Sequence, residues 1–80
     1  MSNWESALFA IISARGGTAS NFQIYEDLES GRFMLLEAHH LRATVHGGRP
    51  AYQHSVRSYL SKLVAQRKLI SPSLGVHSLP

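Results

Sequence analysis

The chain has no cysteine, so neither a disulfide nor a thiolate-bound metal can brace it, and its 80 residues must hold together by packing. That composition suits a reducing compartment, and a cytoplasmic location is expected. No apolar run approaches the roughly 20 residues that a membrane span needs. Met1 to Glu5 also lacks the basic start and apolar middle of a signal peptide. At this length about 60% of the unfolded surface can be buried, which is enough for one small core and excludes two. A single domain over residues 1–80 is expected.

Acidic residues are the next scarcity. All five (Glu5, Glu26, Asp27, Glu29, Glu37) fall in the first 37 residues, where only Arg15 and Arg32 oppose them, giving that part −3. The remainder has no acid, while Arg42, Arg49, Arg57, Lys62, Arg67 and Lys68 give it +6. A basic half of this kind points to a polyanionic partner.

What the basic half does contain is a helical pattern. From Pro50 to Ile70, apolar residues recur at Tyr52, Val56, Tyr59, Leu60, Leu63 and Val64, the spacing of one helix face. The opposite face carries His54, Arg57, Ser58, Ser61 and Lys62, all polar, small or basic. Pro50 suits the first helical position, where its missing N–H would have had no partner, and Gly47-Gly48 marks a loop before it.

The first half reads as two shorter helices. Ser2-Asn3-Trp4-Glu5 has the form of a capping box, and Trp4, Ala7, Leu8, Ile11 and Ile12 follow along one face of a helix of about three turns, stopped at Arg15-Gly16-Gly17. Thr18-Ala19 could make a one-bridge strand. Ser20-Asn21-Phe22-Gln23 repeats the capping pattern with Gln as the reciprocal partner. The helix it opens takes its apolar contacts from Phe22, Ile24, Tyr25 and Leu28, its wet side from Glu26, Asp27 and Glu29, and its end at Ser30-Gly31.

Between Arg32 and Arg49, helical propensity is concentrated from Leu35 to Leu41, and loop character follows. At the end of the chain, Leu69-Ile70-Ser71 and Val76-His77-Ser78-Leu79 read as two strands of a hairpin turning at Pro72-Ser73-Leu74-Gly75. The expected fold is mainly α with a small β-hairpin. Its order is that of a winged helix-turn-helix, a three-helix bundle plus wing, whose core would unite Trp4, Leu8, Ile11, Ile24, Leu28, Leu60, Leu63 and Val64.

Five histidines (His39, His40, His46, His54, His77) invite a metal hypothesis, but adjacent His39-His40 point about 100° apart on a helix and no HExxH pattern is present. No metal and no other cofactor is expected. The acids cluster on the second helix and the serines are dispersed over caps and loops, so no nucleophile–base pair or paired carboxylate suggests an enzyme or a small-molecule substrate.

The stretch GGRPAYQHSVRSYLSKLVAQRKLISPSLGVHSL resembles the winged-helix domain at the N-terminus of Mrr-type restriction endonucleases. The likeness is carried by Gly48-Arg49-Pro50, Tyr52, Val56-Arg57, Leu60-Ser61-Lys62, Leu69-Ile70, Ser71-Pro72 and Gly75-Val76. Residues 16–29 are similar to the family's first turn and second helix. The nuclease domain that follows in such enzymes is absent from these residues, and Val76 to Pro80 replaces the aromatic-rich final strand. The resemblance therefore implies DNA binding without cleavage, as a small regulator or as the targeting module of a restriction-type system.

A helix in the major groove needs arginine for guanine edges and phosphates, and small residues where its backbone comes close. Arg49, His54, Arg57, Ser58, Ser61 and Lys62 meet that need and are the expected contacts to duplex DNA. Arg67 and Lys68 fit equally well as cations at the helix C-terminus. The alternative is a protein-interaction or dimerisation module that binds no DNA, as a homodimer or with a partner protein. Leu74 favours it, lying at a hairpin tip where a groove-probing wing would carry Arg or Lys, and so do Phe33, Met34 and Leu35 if they form an exposed patch.

Overall fold

The computed structural model describes residues 3–42 and 48–80. The element order is α1 (Asn3–Ala14), β1 (Thr18–Ser20), α2 (Asn21–Glu29), α3 (Ala38–Leu41), α4 (Ala51–Ala65), β2 (Ile70–Ser73) and β3 (Val76–Ser78). The molecule is a small, mainly helical domain with a three-stranded antiparallel sheet in the order β1-β3-β2. Among the described residues, no helix is long and apolar enough to cross a membrane.

The caps set the element boundaries. α1 ends in a Schellman pattern: the Gly17 N–H donates to the Ile12 carbonyl at 2.9 Å and the Gly16 N–H to that of Ser13 at 3.1 Å. This requires the left-handed backbone that Gly16 takes up at φ 85°. Ser20 then closes β1 and opens α2. Its Oγ accepts from the Gln23 N–H at 3.2 Å, and Gln23 Oε1 accepts from the Ser20 N–H at 2.9 Å, the expected reciprocal box. The cap expected from Ser2, and the parts of the loop at His46 and Gly47, lie outside the described residues.

One continuous core joins Ala7, Leu8, Ile11 and Ile12 of α1 and Ile24 and Leu28 of α2 to Tyr52, Val56, Leu60 and Leu63 of α4, with Ala19 and Leu69 beside them. Of the expected core, Trp4 and Val64 are only partly buried. Trp4 stacks on Tyr59 at 6.1 Å between ring centroids and so covers the edge of the bundle.

Several expectations are corrected. Pro50 is the N-cap of α4, at ψ 141°, and not its first helical residue. The helix expected from Leu35 to Leu41 shrinks to the single turn Ala38–Leu41, because Phe33, Met34 and Leu36 turn back onto the core from non-helical backbone and leave Leu35 outside. Phe33 and Met34 are therefore partly buried, and of the expected patch only Leu35 is exposed to solvent.

The hairpin turn is tighter than expected. β2 runs through Pro72 to Ser73, and the turn is the pair Leu74-Gly75, with Gly75 at φ 72°. Pro72 is tolerated because β2 is an edge strand whose register shifts between Ile70 and Ser73. β1 joins as a third strand, with Ala19 opposite His77 on the central β3.

Candidate nucleic-acid interface

All six residues expected to contact DNA (Arg49, His54, Arg57, Ser58, Ser61, Lys62) are exposed. The core stripe at Tyr52, Val56, Leu60 and Leu63 points the other side of α4 away from the bundle, and among the described residues that side is exposed. No acid lies anywhere in α4.

The fold divides these residues into two flanks. Lys62 leans toward α1, with Nζ 3.9 Å from Glu5 Oε1 and 5.9 Å from the Tyr59 ring centroid. Its charge is therefore partly answered within the molecule. Arg49 and Arg57 lie on the opposite flank, where they share a groove of about 650 Å³ between α2, α4 and the hairpin tip.

The α2 wall of that groove is formed by Phe22, Tyr25, Glu26 and Glu29, and its end by Leu74 and Gly75. Charges that the sequence keeps apart thus become neighbours, and this flank is mixed instead of purely basic. Burial pushes the Tyr25 phenol above its ordinary pKa, while the nearby positive charges of Arg57 and Arg49 pull it the other way. Tyr52 donates its hydroxyl to Glu29 Oε2, and burial followed by that bond raises its pKa to about 12. The bond ties the end of α2 to the start of α4 and fixes the width of the groove there.

A second, smaller pocket of about 180 Å³ lies between α4 and the hairpin. Arg57 and Ser61 border it from α4, and Asn21 and His77 from the sheet side. Among the described residues, Asn21 Oδ1 and His77 Nδ1 are both buried without a hydrogen-bond partner. Burial holds the His77 pKa below its ordinary value. Arg57 borders both pockets, together with Asn21, Leu74 and Gly75.

Two residues lie otherwise than expected, Phe22 and Asp27. Phe22, expected to pack inward, is 83% exposed, whereas Leu74 is fully exposed at the hairpin tip, as expected. Asp27, expected on the wet side, is buried and takes a bidentate pair from Arg15, with Nε to Oδ2 at 2.7 Å and Nη2 to Oδ1 at 2.9 Å. For Phe22 a signal existed, since at about 100° per residue it sits roughly 160° from Ile24 and 120° from Leu28. For Asp27 there was none, because its partner lies twelve residues away across a strand.

Among the described residues no group of three or more histidines, cysteines or acids could hold a metal ion. His39 and His40 instead contact each other, with ring centroids 4.0 Å apart, and His40 Nδ1 accepts from the Glu37 N–H at 3.0 Å. Compared with family models, curated proteins and solved structures, the chain matches none.

Proposed function

We propose that the chain is a winged helix-turn-helix domain that binds duplex DNA. α1, α2 and α4 are its three-helix bundle, α4 its recognition helix and the β2–β3 hairpin its wing. The element order and the β1-β3-β2 sheet support the fold reading. The observation that carries the functional one is the outer face of α4: His54, Arg57, Ser58 and Ser61 are exposed together on an acid-free helix preceded by exposed Arg49.

Arg57 is the residue best suited to a guanine edge, and Ser58 and Ser61 beside it let the helix backbone approach. Arg49 acts on a phosphate, and His54 adds a contact that strengthens when it is protonated. Lys62 contributes less, since Glu5 competes for it. The role of small regulator or of restriction-type targeting module follows only from the resemblance to the Mrr-type domain.

The test is a labelled random duplex titrated across a salt series. Neutralising roughly four phosphates makes the logarithm of the binding constant fall with a slope of about −3.6 against the logarithm of salt. A slope near zero overturns the reading.

The exposure of Phe22 and Leu74 favours a second reading, a module that binds protein and no DNA. No binding to random duplex at low salt would select it.

A further inference from the structure

We infer that the groove between α2, α4 and the hairpin tip is a self-association surface, in which a second copy of this chain docks across it about a two-fold axis running along the groove. The inference does not rest on DNA binding.

The groove has a direction. Its apolar end is set by Phe22 and Leu74, and Arg57 belongs to that end because it also borders the pocket beneath the hairpin. The other end is set by Glu29, which Tyr52 holds against the start of α4, beside Arg49. Its two walls differ in sign, with Arg49 and Arg57 on the α4 side and Glu26 and Glu29 on the α2 side. Among the described residues no ion pair joins these arginines to these glutamates; Arg15 pairs with Asp27 and Lys62 with Glu5 instead.

A two-fold interface presents the same patch on both subunits and must complement itself. With the axis along the groove, each α4 wall faces the partner's α2 wall at the same height. Arg57 then meets the partner's Glu26, and Arg49 meets the partner's Glu29. The apolar ends meet each other, which removes Phe22 and Leu74 from water, at 83% and 102% exposure the two most exposed large apolar side chains described. A phosphate backbone laid in the groove would face Glu26 and Glu29 and be repelled. A second copy answers both signs at once and covers the apolar end, so charge complementarity favours it as the occupant of the groove; because it engages Arg49 and Arg57, it would compete with the DNA binding proposed above.

Sedimentation velocity without nucleic acid, from about 1 µM to about 1 mM, tests this over the range of weak, transient interfaces. The parent chain should shift from monomer toward dimer across that range. Glu26→Lys sets like charges opposite one another in both halves of the interface, as does Arg57→Glu, and each should weaken association about tenfold or more. An equimolar mixture of the two restores both pairs and should recover the dimer. Phe22→Ser, at a position too exposed to affect the core, should also weaken association. Circular dichroism melts of each variant establish that it is folded. A parent that stays monomeric at about 1 mM overturns the inference, as does a dimer that Glu26→Lys and Phe22→Ser leave intact, or a mixture that stays monomeric.

Discussion

α4 turns Tyr52, Val56, Leu60 and Leu63 into the core, where none keeps more than 1% of its surface, and turns His54, Arg57, Ser58, Ser61 and Lys62 toward solvent. Both sets belong to one fifteen-residue helix with one backbone hydrogen-bond ladder. The inner set is defined by volume, since each side chain is fitted among neighbours from α1, α2 and Leu69. The outer set is defined by charge and by lack of bulk. A change on the inner face should therefore act on folding, and a change on the outer face on binding.

The largest way to break that division is Leu60→Ala or Leu63→Ala. Each opens a cavity in a small core and should cost about 2–5 kcal/mol, a large share of the stability expected of so small a domain. Urea unfolding of both variants measures it, and a midpoint equal to the parent's would mean the inner face is misassigned.

Arg57→Ala sharpens the comparison from the other side. If Arg57 reads a guanine, it should lose about 1–3 kcal/mol of binding on a preferred duplex and much less on random sequence. Its melting temperature should stay close to the parent's, because a solvated side chain away from the core seldom moves stability by more than about 0.5 kcal/mol. Equal losses on every duplex would assign Arg57 to a phosphate. Unfolding of the variant would erase the distinction between the faces.

Arg15 and Asp27 offer a half-buried charge pair to set against the solvated charges of α4. The hydrogen bond from Arg15, aided by its positive charge, holds the Asp27 carboxyl below the usual carboxylate range despite burial. A depressed acid stabilises the fold fully above its unfolded pKa of about 3.9, and that contribution drains away as pH falls below it toward the native value. Asp27→Asn should lower the unfolding midpoint at pH 7 and flatten this acid limb. His77 acts in a separate window: as a base held neutral by burial, it withdraws stability as pH drops below about 6.5. Unfolding at pH 7, 5 and 3 separates the two, and an Asp27→Asn curve parallel to the parent's would rule the pair out as the source.

The smallest effect is expected where α4 ends. Arg67 occupies the left-handed position of a Schellman turn at φ 61°, with its N–H on the Val64 carbonyl and the Lys68 N–H on that of Leu63. Arg67→Gly should stabilise by about 0.5–1 kcal/mol, the relief of the Cβ clash less the entropy added to the unfolded chain. A thermal melt checks the sign, and destabilisation would mean that the Arg67 side chain contributes more than its backbone costs.

The sequence alone determined what local physics governs: the reciprocal cap of Ser20 and Gln23, the glycine stop after Ala14, and the apolar stripe that orients α4. Those signals lie within a few residues of one another, so the backbone and its nearest side chains set them. The polar face of α4 was legible for the same reason, since a core stripe fixes its own opposite.

Only the tertiary structure decided which side chains meet across gaps. It paired Arg15 with Asp27, drew Lys62 to Glu5, left Phe22 in water, and cut the helix expected near Leu35 to one turn so that Phe33 and Met34 could reach the core. It also brought the acidic α2 beside Arg49 and Arg57, which linear charge counting had separated. These outcomes depend on how the helices and hairpin dock, and docking is set by the summed burial of the whole core, a quantity that no local window of sequence contains.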